Sequence, residues 1–430
     1  MSRVRRLLVP VACAALASGG LGGGVAAAAS GTPAVDHTLP ANTRFYVDPE
    51  AGAARQAVAD LRAGKVQDAL RMAQLASWPQ AIWLDYGTPA EIGKVVRKTM
   101  LAAKATGTVP VFVLYNVTGR DCSFYSAGGA ADPAAYRAWV QGVADGIGTG
   151  RAAVIVEPDG LALLPKDCPE GDPDGTRTEQ RYAEIRAAAD IMEAQPKTSV
   201  YLDGGSSNWQ PVGELAGRLI KANLSKTQGF SLNVSNYQPT DQLNRYATWV
   251  STCVWYATEG PAEARGRTDT CASQYYSPAA PNDGQPGNAV DFSDPSTWKW
   301  VDAWFDRTVG KPPVQDLTHY VLDNSRNGQG AWIPPAGKYT DAEPWCNAPG
   351  RGIGVRPTAD TGRPLADAYL YVKTIGESDG TCHRGTAGPA DPEYGSEDPA
   401  AGAWWPDFAH TLARNANPAL TFNLGSAARN

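Results

Sequence analysis

The sequence predicts an α/β fold: a distorted parallel β/α barrel, TIM-like, with seven to eight strands and long loops at its C-terminal face. Three observations predict it. Short apolar runs rich in β-branched residues alternate with alanine-rich segments of helical spacing, and such alternation implies parallel pairing. The run 152–156 (Ala-Ala-Val-Ile-Val) has no polar break and ends in Glu157-Pro158-Asp159-Gly160, as a strand buried on both faces does. Most such runs are followed closely by a carboxylate, an amide or an arginine, and ligands of α/β folds sit at the carboxyl ends of the strands. An open doubly wound sheet is the alternative.

The first 29 residues stand apart from the fold. Arg3, Arg5 and Arg6 precede an apolar stretch at 7–17 and the small residues Ala27-Ala28-Ala29. This reads as a signal peptide cut before Ser30, its apolar part too short to span a bilayer. Residues 30–430 are then expected to form a single catalytic domain, secreted and extracellular, with no membrane contact once the signal is gone. Losing three arginines takes the net charge from −6 to −9, an acidic balance that argues against nucleic acid and anionic membranes as partners. Hydrophobic content of 43% is enough for a packed core. Of seven cysteines one, Cys13, falls in the signal; an even set of six outside the cell is expected to pair as disulfides. No CxxC spacing occurs and the four histidines are scattered, so no metal is expected.

In chain order the strand runs are 44–47, 81–84, 109–115, 152–156, 199–202, 230–234, 319–322 and 368–372. Helical spacing fills 54–76, 90–105, 134–147 and 180–194. After the strands come, in turn, Asp48, Asp85, Arg120 with Asp121, Asp159, Asp203, Asn236, Asp323, and Glu377 with Asp379. Helix capping accounts for Asp48 and Asp85, since aspartate is favoured at N-caps. It does not account for so many carboxylates at one barrel mouth, where they would raise one another's pKa values. A carboxylate-lined pocket is what hydrolysis of a glycosidic bond requires. Trp83, Trp209 and Trp345 lie close to these acids and can stack on sugar rings, whereas Trp139, Trp249 and Trp304 fall in helical segments and are assigned to the core. The stretch 240–313, rich in Pro, Gly, Asn and Ser around 277–295, reads as a long insertion, and 381–401 as a second irregular stretch.

Taken together these motifs resemble glycoside hydrolase family 6, the inverting cellulases. The matching stretches are Trp83-Leu-Asp, Tyr115 through Arg120-Asp121-Cys122, Val156-Glu-Pro-Asp159, Tyr201-Leu-Asp203, Leu232-Asn-Val-Ser-Asn236, Asp323-Asn-Ser-Arg326-Asn-Gly, Trp345-Cys-Asn347, Gly350-Arg-Gly, Arg356-Pro-Thr and Lys373 through Glu377-Ser-Asp379-Gly. The resemblance implies a seven-stranded distorted barrel that cleaves β-1,4-glucosidic bonds with inversion, so that one of the eight runs lies outside the barrel. It implies Asp159 as the general acid, Asp121 as the aspartate that tunes it and orders the attacking water, and Asp379 as the base. Inversion places acid and base roughly 6.5–9.5 Å apart. Tyr115, Ser126, Asn236, Lys373 and Glu377 are the implied substrate contacts alongside Trp83, Trp209 and Trp345. Arg120 is expected to pair with a neighbouring carboxylate, and Asp203 to support the acid. The family further implies the pairs Cys122–Cys168 and Cys346–Cys382, leaving Cys253–Cys271. No cofactor is implied, and the partner is a cellulose or other β-glucan chain met by a monomer.

One position departs from the family pattern. Ser206 stands where members commonly carry a histidine, three residues after Asp203. The stretches 240–313 and 391–402 are similar to loops of bacterial exo-acting members, which implies a cellobiohydrolase releasing cellobiose from the non-reducing end. An endo-β-1,4-glucanase or mixed-linkage β-glucanase is the alternative within the family. A non-catalytic carbohydrate-binding protein on the same fold is the alternative of another class.

Overall fold

The computed structural model describes residues 36–275 and 290–420. Seven strands form one sheet in the order of the chain: β1 Ile82–Leu84, β2 Val111–Leu114, β3 Ala152–Val156, β4 Thr198–Asp203, β5 Gly229–Leu232, β6 His319–Asp323 and β7 Ala366–Leu370. All six pairings are parallel, for instance Val113 with Ile155 and Ile155 with Tyr201. Side chains of the strands alternate between two buried faces, as the two-residue period of a strand demands. Val113, Ile155, Tyr201, Val321 and Ala368 fill the inside of the curled sheet. Phe112, Leu114, Val154, Val156 and Leu202 face the surrounding helices instead. This double burial is why the strands read as unbroken apolar runs.

The helices are α1 Gly52–Arg62, α2 Val66–Ala76, α3 Pro89–Thr106, α4 Pro133–Ile147, α5 Thr176–Glu193, α6 Val212–Lys221, α7 Thr240–Thr258, α8 Lys299–Thr308 and α9 Pro406–Arg414. The expected helix 54–76 is broken in two at Gly64, whose φ of +74° suits glycine. The expected strand 44–47 is reduced to one bridge, Phe45 with Val109. Val109 N donates to Arg44 O and Tyr46 N to Val109 O, both at 2.8–2.9 Å, and the pairing goes no further. Neither aspartate expected to cap a helix does so. Thr88 caps α3 in a reciprocal capping box with Glu91, with Pro89 at the first helical position, while Asp85 lies three residues upstream. Asp48 accepts the N–H of Glu50 at 2.9 Å, and the residue preceding α1 is Ala51.

The stretch 240–313 is not an insertion of loops. It opens with α7 and closes with α8, part of the crossover from β5 to β6, with Trp249 and Trp304 buried as expected. Residues 276–289 within it, and the expected signal peptide 1–29, lie outside the described residues. The stretch 381–401 carries a short hairpin of β8 Ala390–Asp391 and β9 Ser396–Glu397. Among the described residues, no helix is long and apolar enough to cross a membrane. The six cysteines after Cys13 form Cys122–Cys168, Cys253–Cys271 and Cys346–Cys382.

The two edge strands are not laddered. On the first strand's side, Ala81 N donates to Tyr371 O at 2.8 Å and the Trp83 indole donates to Val372 O at 2.8 Å, just beyond the last strand.

Candidate active site

Backbone at the carboxyl ends of the strands must leave the sheet sharply, and here it does so through left-handed residues that are not glycine. Asp121, Cys122, Glu157 and Asp159 have φ of +59°, +46°, +52° and +68°. Such conformations cost free energy in an L-residue and persist where the surroundings over-determine them. Buried strand-end carboxylates organise the backbone around them by accepting N–H groups, and Asp203 holds Asp159 directly. Glu157 accepts from Asn116 N and Val117 N at 3.0 Å and from the Tyr136 hydroxyl at 2.8 Å. Asp203 accepts from Asp159 N at 3.0 Å, Gly205 N at 2.9 Å and the Ser231 hydroxyl at 2.9 Å. Asp323 takes Ser325 N, Val372 N, Lys373 N and Ser235 N at 2.9–3.1 Å. Several of the acids grouped at the barrel mouth are thus buried clamps that position loops.

Those loops build one cleft of about 730 Å³. Its walls include Trp83, Tyr115, Asp121, Ser126, Asp159, Trp209, Asn236, Trp345, Lys373 and Asp379, ten of the residues expected at the site. Glu377 is half-buried beside Lys373 but does not line it. Arg120 does not take the carboxylate partner expected of it. Its guanidinium donates to the carbonyls of Ser126 at 2.9 Å, Asp85 at 3.3 Å and Tyr115, and lies over the Tyr115 ring. The free carbonyls of the tight loop lie nearer than any acid. Ser206, at the departing position, is fully buried with its hydroxyl on Asn233 Oδ1 at 3.3 Å, and is not on the wall.

The cleft's carboxyl groups are driven apart in charge. Burial, followed by Asp203, Asp121 and Asp379, holds the Asp159 carboxyl well above the ordinary aspartate range, against the pull of Lys373. Burial also raises Asp121, opposed by the N–H of Ser126, which donates to its Oδ2 at 2.6 Å, and by Arg120. Asp379 goes the other way. Burial would raise it, but Arg326 and Lys373 outweigh that and keep it below the ordinary range. Arg326 donates to its Oδ2 at 2.8 Å, Asn347 N to the same oxygen at 2.9 Å, and Lys373 Nζ stands 3.5 Å from Oδ1. One cleft therefore holds a proton-bearing carboxyl and a fixed carboxylate, the combination that acid-assisted hydrolysis needs.

Aromatic surfaces complete the walls. Trp83 meets Tyr115 edge to face with ring centroids 5.2 Å apart. Trp209 packs over Gly205, where an added Cβ would lie 2.7 Å from the indole and φ is +71°. Sequence reasoning missed Phe124, Tyr125, Glu343 and His383, which also line the cleft. Tyr125 donates to Glu343 Oε1 at 2.6 Å and lies 6.0 Å from the Trp345 ring, joining the Asp121 loop to a segment more than 200 residues away. Only the aromatic pair Phe124-Tyr125, next after Asp121-Cys122-Ser123, could have signalled it.

A family model described as "Glycosyl hydrolases family 6" matches residues 40–416. Endoglucanase A of Thermobispora bispora is 31% identical, over 97% of this chain and 71% of its own length. Endoglucanase 1 of Streptomyces halstedii is 32% identical, over 91% of this chain and 97% of its own. Among solved structures, the endoglucanase Cel6 of Mycobacterium tuberculosis, in complex with methyl-cellobiosyl-4-deoxy-4-thio-β-D-cellobioside, superposes with a TM-score of 0.63. It is 33% identical, over 89% of this chain and 99% of its own.

Proposed function

From the premise that this chain belongs to glycosyl hydrolases family 6, we propose that it is a cellulase that cleaves β-1,4-glucosidic bonds within glucan chains with inversion of the anomeric carbon. The observation that carries this reading is that Asp159 and Asp379, on the walls of one aromatic-lined cleft, are pushed in opposite directions, Asp159 towards its acid form and Asp379 towards its carboxylate. Asp159, protonated at working pH, gives its proton to the glycosidic oxygen as the C1–O bond breaks. Water, ordered beside Asp121 and Ser126, attacks C1 from the opposite face. Its proton passes to a carboxylate oxygen, for which Asp379 Oδ1 is the candidate. Since Arg326 and Lys373 make Asp379 a weak base, that transfer comes late, once C–O bond formation has acidified the water. Tyr115, Asn236 and Lys373 orient the sugar, and Trp83, Trp209 and Trp345 carry its ring faces.

Endo action is favoured because, among the described residues, neither of the two stretches that suggested an exo enzyme lines the cleft. Residues 240–313 contribute the α7–α8 crossover, and 391–402 the region of the β8–β9 hairpin. Release of cellobiose from the non-reducing end is the second reading, favoured by the Tyr125–Glu343 bond that ties two wall segments together. We also infer export. Three disulfides suit an oxidising compartment, and residues 1–29 have the make-up of a signal peptide.

The test is hydrolysis of phosphoric-acid-swollen cellulose by wild type and Asp159→Asn, with the product anomer read by NMR. The substitution is expected to cost about 10²–10⁴-fold in kcat, and the first-formed product is expected to be the α-anomer. A wild-type rate in Asp159→Asn, or a β-anomer, sinks the reading. Carboxymethylcellulose that thins before soluble cellobiose accumulates supports endo cutting; the reverse order supports the exo reading.

A further inference from the structure

Behind the Asp379 loop runs a buried chain of polar groups that the scheme above does not use. Asn347, at φ +40°, clasps Asp379 twice: its N–H donates to Asp379 Oδ2 at 2.9 Å and its Oδ1 accepts Asp379 N at 2.7 Å. Its amide nitrogen donates to Ser378 Oγ at 3.0 Å, Gly380 O at 2.9 Å and Asp398 Oδ2 at 2.8 Å. Asn347, Asp398 and Asp391 are all buried. Asp398 Oδ1 is buried too, and no N–H or hydroxyl reaches it. Its neighbour is a second carboxylate: a carboxylate oxygen of Asp398, one of Asp391 and the Cys382 sulfur lie within 4.8 Å of one another. These three are not a metal set, because the sulfur is bonded to Cys346 and Asp391 is paired with Arg384.

The charge balance of this nest decides its state. The groups facing Asp398 are Asp391, Arg384, the Asn347 amide and the Tyr394 ring. Arg384 is fully buried and its ion-pair partner is Asp391, Nη2 to Oδ2 at 2.8 Å and Nε to Oδ1 at 3.3 Å, with further bonds to the carbonyls of Ala342, Glu343 and Cys346. Two buried carboxylates against one guanidinium leave a negative charge uncompensated, and a bound proton removes that cost. The same proton supplies the partner that Oδ1 lacks.

We propose that Asp398 is held as a neutral carboxylic acid, donating to Asp391 and accepting from Asn347, and that it is a positioning residue keeping Asp379 in place for the reaction. The inference rests on the glucanase reading. Burial and Asp391 together push the Asp398 carboxyl up to about 7, so the acid form is present at mildly acidic pH. When the proton leaves, two anions repel behind the loop, the Asn347 clasp loosens, and turnover falls on the alkaline side.

Asp398→Asn discriminates, because an amide offers an N–H and a C=O where the acid has O–H and C=O, yet cannot titrate. On swollen cellulose near about pH 5.5, Asp398→Asn is expected to keep kcat within about twofold of wild type, and Asp398→Ala to lose about tenfold with KM little changed. The alkaline fall of kcat is expected to move up by about one pH unit in Asp398→Asn. Wild-type kcat in Asp398→Ala, equal loss in both variants, or an unmoved alkaline limb in Asp398→Asn overturns the proposal. Should the alanine variant fail to fold, the limb of the asparagine variant still decides. Asp159→Asn measured in parallel keeps the two readings separate: a wild-type rate there sinks the glucanase assignment, whereas the Asp398 outcomes bear on this inference alone.

Discussion

Arg326 is a fully buried guanidinium whose charge is spent on Asp379 and on the Ser235 carbonyl, with its face over the Tyr237 ring 4.4 Å away. A buried pair of this kind is weak evidence of net stability, but removing one member leaves the other charge stranded. Arg326→Ala is therefore expected to destabilise the fold by about 3–5 kcal/mol in urea unfolding and to raise the Asp379 pKa. An unfolding midpoint unchanged from wild type would show that the pair is not holding Asp379. At this scale much could be read without coordinates. The wall residues from Asp121 to Asp379 follow strands or sit in short motifs with Gly or Pro, so residue type and place both marked them. Arg120 could not be read that way. Its partner choice turned on where the carbonyls of Asp85, Tyr115 and Ser126 point, which local sequence does not encode.

The strand ends show how elements become a site. Glu157, Asp203 and Asp323 each close one loop onto the next by accepting backbone N–H groups, so the strained backbone at Asp159, whose N–H goes to Asp203, is held from below. Replacing Glu157 with Gln is expected to cost about 1–3 kcal/mol, since one amide oxygen cannot serve both loop N–H groups and the Tyr136 hydroxyl. Faster hydrogen exchange at Asn116 and Val117, confined to that loop, is the signature; unchanged exchange there would show that the clamp is dispensable. Composition misled at this level. Pro, Gly, Asn and Ser around 277–295 drew attention from α7, whose buried Leu243, Tyr246, Ala247, Val250 and Val254 recur at helical spacing. The seventh-or-eighth-strand question likewise turned on the first run, which pairs through the single bridge of Phe45 with Val109.

For the whole molecule, buried acids set how stability depends on pH. Burial pushes Glu157, Asp203 and Asp398 up to about 7 and Glu193 up to about 8, against ordinary values of 4.5 or 3.8. Between roughly pH 4 and pH 8 the folded chain keeps protons that the unfolded chain has released, so stability falls as pH rises through that window. Calorimetry is expected to give a higher Tm at about pH 5 than at about pH 8; a Tm that climbs over this range refutes the assignment. Asp36, lowered to about 2, acts only at the acid extreme. The parallel sheet was legible from alternation alone, whereas the join between the first and last strands was not, because it depends on one backbone bond from Ala81 and one indole. Trp83 fastens that join through its N–H while its ring forms part of the cleft wall. Grip on a guest and integrity of the hoop are thus vested in one side chain, so natural or engineered drift at this position cannot retune affinity without also loosening the scaffold.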